Sequence, residues 1–61
     1  MKDKLAVPVP EACERLSVGR TLFYELVNAG EIRTFKVGAR TLVPVADLAA
    51  FVERKLQAVA A

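Results

Sequence analysis

The sequence has no histidine, and Cys13 is the only cysteine among its 61 residues. An intramolecular disulfide is therefore impossible, and the common zinc sites, which need several Cys or His ligands, are excluded. An unpaired cysteine favours a reducing compartment and usually occupies a small buried position. We therefore expect neither a metal nor another cofactor, and we expect Cys13 to lie in the core.

Long apolar runs are also missing. The charged start, Met1–Leu5, is followed by apolar residues that Pro8 and Pro10 interrupt, so no apolar core of a signal peptide follows it. No run approaches the ~20 apolar residues of a membrane-spanning helix. These absences predict a cytoplasmic protein without a membrane partner.

The residue combinations that enzymes use for catalysis are scarce as well. The chain has no phosphate-cradling glycine loop and no serine or cysteine with a plausible base beside it. Its length of 61 residues leaves no room for a separate ligand-binding domain, so no small-molecule ligand is expected. We expect one small domain over residues 1–61, with a core drawn from a 54% apolar composition. An enzymatic function is not expected.

Positive charge is concentrated in the middle of the chain, although the net charge is only +2. Residues 15–41 hold five basic and two acidic side chains, whereas the rest of the chain holds four basic and five acidic ones. Such a distribution is typical of a surface that binds nucleic acid. A charged surface also shows such unevenness by chance, so charge alone does not decide the partner.

Apolar spacing predicts two helices separated by a tight turn. Proline suits a first helical turn, and a first helix is expected over Pro10–Leu16. After the break at Ser17–Gly19, a second helix is expected over Arg20–Ala29, with Gly30 as its left-handed stop. The apolar face of the second helix is predicted to consist of Leu22, Phe23, Leu26 and Val27.

The pattern then becomes strand-like. Two β-rich runs, Thr34–Val37 and Arg40–Val43, flank Gly38-Ala39. Glycine at the first position of a two-residue loop is typical of a type II′ hairpin. In this register Phe35 lies opposite Leu42, and the other side of the hairpin carries Lys36 and Thr41.

A final helix is expected after Pro44, which ends the second strand. Its apolar stripe, expected in the core, consists of Leu48, Phe51, Val52 and Leu56. Residues 57–61 either continue this helix or fray, and residues 1–8 form an extended lead-in. The predicted fold is mainly α with a small β-hairpin, a winged helix-turn-helix: helix, tight turn, helix, two-stranded wing and C-terminal helix.

A helix-turn-helix places its second helix in the major groove of DNA, where the first residues of that helix reach base edges. Those residues here are Gly19, Arg20 and Thr21, with Tyr24 one turn further on. Arginine bonds to guanine through two donors, threonine reaches a base or a phosphate, and tyrosine reaches a phosphate. The alternative for Arg20 is a solvated helix residue, and for Tyr24 a core residue.

The wing offers a second set of DNA contacts. Lys36, Arg40 and Arg33 lie on or beside it, and Gly38 keeps its tip narrow enough to approach a backbone or minor groove. Cations on a hairpin also protect its edges from aggregation, which is the alternative reason for their presence.

The order and spacing of several segments resemble the excisionase-type members of the MerR-like winged helix-turn-helix superfamily. The segments that carry the resemblance are Pro10–Leu16, Val18–Tyr24, Ala29–Ile32, Lys36–Arg40 and Val43–Leu48. Carried over, the resemblance places DNA contacts on Gly19, Arg20, Thr21, Tyr24, Lys36 and Arg40. The sequence departs from the family in the turn, with Ser17 where glycine is usual and Gly19 where serine or threonine is usual. It also departs at Glu25, where a basic residue is frequent, and at Pro8, where a capping serine or threonine is common.

The resemblance implies a recombination directionality factor. Such a protein binds adjacent sites near a phage attachment site, self-associates along the DNA, bends it and steers a tyrosine or serine integrase toward excision. This places it at the nucleoid of a bacterial host cell. Two alternatives stay open: a small prophage-type transcriptional regulator on the same fold, and a protein-interaction module that uses the last helix, including Val59.

Overall fold

The computed structural model describes residues 4–60, and it confirms the predicted mainly α fold with a β-hairpin. The lead-in at residues 1–3 and the last residue of the predicted tail lie outside the described residues. In chain order the elements are β1 (Ala6–Pro8), α1 (Val9–Leu16), α2 (Arg20–Asn28), β2 (Phe35–Val37), β3 (Arg40–Pro44) and α3 (Val45–Ala60).

The turn between α1 and α2 is held by backbone hydrogen bonds. The N–H of Ser17 donates to the carbonyl of Glu14 at 3.1 Å, and the N–H of Val18 donates to the carbonyl of Cys13 at 3.0 Å. This pair of bonds is the Schellman arrangement, which requires a left-handed residue at the first position after the helix. Ser17 takes that conformation, with φ of 59°. The glycine that the resemblance favours here would adopt it without strain.

The same arrangement ends α2, and it confirms the predicted stop at Gly30. Gly30 has φ of +82°, its N–H donates to the carbonyl of Val27 at 3.0 Å, and the N–H of Glu31 donates to the carbonyl of Leu26 at 2.9 Å. Two short helices with defined ends therefore meet across a three-residue turn.

The predicted hairpin is present in its predicted register, with Phe35 opposite Leu42 and Lys36 opposite Thr41. Gly38 has φ of 62°, and Ala39 has no positive φ. A positive φ at the first loop residue alone is the pattern of the expected type II′ turn. We call β2, this turn and β3 the wing.

The predicted two-stranded wing is present, and a third strand that was not predicted, β1, extends its sheet. The strand order is β1-β3-β2, with β1 antiparallel to β3. Val7 lies opposite Val43, and both side chains are fully buried. The segment expected to be a simple lead-in therefore pairs with a strand that follows it by more than thirty residues.

Within the described residues, one core joins the three helices to β1 and β3, and its eight buried apolar residues are Val7, Val9, Ala12, Cys13, Phe23, Ile32, Val43 and Leu48. The predicted burial of Cys13 is confirmed. Three residues expected on apolar core-facing stripes lie elsewhere: Leu22 is 47% exposed, Val52 43% and Leu56 60%. Leu22 lies about 100° around α2 from Phe23, and the second half of α3 extends past the core.

Candidate nucleic-acid interface

The outward side of α2 is defined by the position of Phe23, whose side chain is fully buried. At 3.6 residues per turn, Thr21 and Glu25 lie within about 20° of the point directly opposite Phe23. Asn28 lies about 40° from that point and Tyr24 about 80°, whereas Arg20, the first residue of α2, lies only about 60° from Phe23. All of these side chains are exposed. We call Thr21, Tyr24, Glu25 and Asn28 the outward face of α2, and the exposed Arg20 borders it at the N-terminal end.

The predicted helix residues are brought together at the N-terminal end of this face. Gly19 is the N-cap of α2 and offers no side-chain cap to the helix. Its carbonyl accepts the first helical hydrogen bond, from the N–H of Phe23 at 3.0 Å. Tyr24 is 47% exposed, which removes the alternative that it is a core residue, and its ring contacts Phe23 edge-on at 5.7 Å between centroids. Asn28 joins the face one turn beyond Tyr24, and 3.6-residue periodicity extended from Tyr24 would have found it.

The wing carries its two cations on opposite faces. Neighbouring residues of a strand point to opposite sides, and paired residues of an antiparallel ladder share a side. Lys36 therefore shares one face with Thr41, and Arg40 shares the other face with Val37. Both cations are exposed, and a Cβ placed on Gly38 at the tip would meet no heavy atom within 4 Å. The wing is thus a narrow ribbon with a positive charge on each side.

The charged residues fall into two groups within residues 4–60. Five cations form ion pairs: Lys4 and Arg15 with Glu11, Arg33 with Asp47, and Arg54 and Lys55 with Glu31. Hydrogen bonds from Arg15 and Lys4 lower the pKa of Glu11. The described cations without a carboxylate partner are Arg20, Lys36 and Arg40, and all three lie on α2 or the wing.

Arg33 belongs to the first group, and its partner is a contact that the sequence did not predict. Its Nε donates to Oδ2 of Asp47 and its Nη2 donates to Oδ1, both at 2.9 Å, and its backbone N–H donates to Oδ2 at 3.0 Å. The pair ties the residue two positions before β2 to the first turn of α3. Arg33 as a DNA contact stays a prediction, but its guanidinium already has a carboxylate partner.

The same pair makes stability depend on pH. The hydrogen bond from Arg33 is the main cause that holds the pKa of Asp47 below its ordinary value of 3.8, against a smaller opposing effect of burial. A carboxyl with a lowered folded-state pKa stabilises the fold above its unfolded pKa and loses that contribution as pH falls through the folded value. The stabilising contribution of this pair is therefore expected to be lost as pH falls from about 5 to below 3.8.

Replacing Asp47 with asparagine is expected to lower the unfolding free energy at pH 7, while the difference from the parent protein shrinks as pH falls to 3. Urea unfolding of both proteins across this range measures it. Glu53→Gln, on an exposed part of α3 and outside any ion pair of the described residues, is the control and should track the parent protein. A difference between Asp47→Asn and the parent that does not change with pH would contradict this role for the pair.

Two short helices joined by a three-residue turn, followed by a wing and a third helix, define the protein as a winged helix-turn-helix. The family model of the helix-turn-helix domain matches residues 9–56, which is more than half of the chain. The chain belongs to that family and is a DNA-binding helix-turn-helix protein. Searches among curated proteins and among solved structures find no match.

Residues 4–60 contain neither a metal-binding cluster nor a membrane-spanning helix. No group of three or more His, Cys, Asp or Glu side chains in that range is arranged to hold a metal ion. No helix in that range has the length and apolarity needed to cross a membrane.

Proposed function

We propose that α2 reads base pairs in the major groove while the wing contacts the adjacent backbone. The observation that carries the proposal is the position of the three cations without carboxylate partners among the described residues, Arg20, Lys36 and Arg40. Cations on other surfaces of the described chain are used in ion pairs, whereas these are available to phosphates and to guanine. Thr21 and Tyr24 are exposed on α2 and add hydroxyl donors.

The wing geometry supports a backbone role. A ribbon that enters a minor groove has a phosphate chain on each side, and one cation on each face matches that arrangement. The slim tip at Gly38 allows close approach. Because Arg20 borders the outward face of α2 at its N-terminal end, it reaches either a guanine at the entry of the major groove or the phosphate beside it.

Selection from a random duplex pool at one fixed, moderate salt concentration tests the proposal, because phosphate contacts make affinity steeply salt-dependent. The parent protein is expected to enrich a short sequence. Arg20→Ala should weaken binding to that sequence roughly ten-fold or more if Arg20 contacts a guanine, with relaxed selectivity at one base pair.

Arg54→Ala is the matched control, since it removes the same charge from α3 at a cation already paired with Glu31. It should enrich the parent sequence. If the parent protein enriches no sequence even at lower salt, the DNA-reading role is wrong.

Within this class, we favour a recombination directionality factor that binds adjacent sites, bends the DNA and directs an integrase. The resemblance noted above supports it, and so does a chain whose described elements all serve one DNA-binding fold. Enrichment of direct repeats would support this role, and inverted half-sites would instead support a small transcriptional regulator. A DNA-bound role of either kind places the protein in the cytoplasm, at the nucleoid.

The exposed apolar residues of α3 favour a protein contact in addition. Val52, Leu56 and Val59 follow a four-then-three spacing, and Val59 is 83% exposed. This spacing places them on one side of the helix, which suits packing against a second helix. Self-association of copies on adjacent sites would use this stripe, and so would the alternative in which the chain is chiefly a protein-interaction module.

A further inference from the structure

Glu25 occupies an unexpected place for a carboxylate in a DNA-binding helix. Together with Thr21 it lies almost directly opposite the buried Phe23, at the centre of the outward face of α2. When this face enters a major groove, its centre lies over base edges and its flanks lie near the two phosphate chains. Glu25 is therefore placed over the base edges. It lies away from the phosphate chains, which repel a negative charge most strongly.

The surroundings of Glu25 leave the carboxylate available. It is exposed and forms no ion pair or side-chain hydrogen bond with any of the described residues. A carboxylate in a DNA interface is tolerated when an arginine neutralises it or when a base donates to it. The described part of the chain supplies no such arginine, so a hydrogen bond donated by a base is the possibility that remains.

The chemistry of base edges then narrows the choice. An ionised carboxylate only accepts hydrogen bonds. In the major groove the donors are the amino groups of cytosine and adenine, whereas guanine presents two acceptors and thymine an acceptor and a methyl group. Cytosine presents its donor without the neighbouring acceptor N7 that adenine carries, and it is the usual partner of Glu and Asp.

We infer that Glu25 is a specificity-determining residue that accepts a hydrogen bond from the 4-amino group of a cytosine in the major groove. The inference rests on the proposed function, since it assigns one base of the site that α2 reads. Its role is discrimination between base pairs, because a carboxylate adds repulsion toward every phosphate and so lowers affinity for DNA in general.

The test compares the parent protein with Glu25→Gln by selection from the same duplex pool, followed by titration of the selected site and of a duplex in which one C·G pair is T·A. The parent protein should bind the C·G duplex about ten-fold more tightly than the T·A duplex. Glu25→Gln should lose that preference and shift toward adenine at this position, because glutamine bonds to adenine through two groups. Its binding to non-specific DNA should become tighter.

Glu53→Gln is the charge control, since it removes the same charge from an exposed position of α3 and should leave the base preference unchanged. Far-UV circular dichroism and thermal unfolding establish that each variant is folded. If Glu25→Gln enriches the same sequence as the parent protein and binds every duplex more tightly, Glu25 acts only by repulsion and the inference is wrong while DNA reading stands. If the parent protein enriches nothing, the proposed function and this inference both fail.

Discussion

Replacing Phe23 with alanine is expected to remove a large part of the protein's stability. Phe23 is the largest fully buried side chain, and it packs where α2 meets the rest of the core. Truncating a buried phenylalanine to alanine costs roughly 3–5 kcal/mol, because apolar contact is lost and a cavity remains. At about 0.05–0.15 kcal/mol per residue, a chain of this size has a total stability of roughly 3–9 kcal/mol.

Thermal unfolding followed by circular dichroism measures this change. Leu22→Ala is the matched control, since Leu22 adjoins Phe23 but is 47% exposed and lies outside the core cluster. Its effect should stay below about 1 kcal/mol. Since about 1 kcal/mol corresponds to roughly 4–8 °C in a domain of this size, a fall in Tm of less than about 10 °C for Phe23→Ala would show that α2 does not depend on this contact.

Replacing both Lys36 and Arg40 with alanine is expected to weaken DNA binding at least about ten-fold at low salt, with little change in which sequence is preferred. Each cation that contacts a phosphate releases about one counterion on binding. The slope of log K against log salt concentration should therefore fall by about two. Stability should change little, because both side chains are exposed and neither forms an ion pair with the described residues.

Fluorescence anisotropy titrations of one duplex at several salt concentrations measure both quantities. Lys4→Ala combined with Lys55→Ala removes the same charge at two paired cations outside α2 and the wing. This control should keep the parent slope. If the two double variants lose affinity equally, the effect comes from net charge, and the wing has no special place in binding.

Local pattern was sufficient for most of the fold. Apolar spacing around Phe23, the glycine at position 30 and the Gly38-Ala39 loop each act over a few residues, and each predicted its element to within one or two residues. The inward position of Phe23 and the exposure of the wing cations follow from the same periodicities.

The features that were missed depend on residues far apart in the sequence. β1 is three residues long and ends at Pro8, so its own sequence does not show the pattern of a strand. It is recognisable as a strand only through its pairing with β3. The pairing of Arg33 with Asp47 spans fourteen residues and needs the fold to bring them together. Periodicity placed Val52 and Leu56 in the core, but both are exposed, because periodicity contains no information on where the core ends along α3.

The central position of β3 has a consequence for how the protein meets DNA. β3 pairs with β1 on one side and β2 on the other, and it passes directly into α3, where the N–H of Val45 donates to the carbonyl of Leu5 at 2.9 Å. The wing is therefore fixed to the core that also holds Phe23 of α2 before any duplex arrives, so little ordering entropy is lost on binding. DNA whose groove spacing does not match this fixed arrangement must bend or twist to fit. The protein therefore selects its sites partly by how easily their sequence deforms.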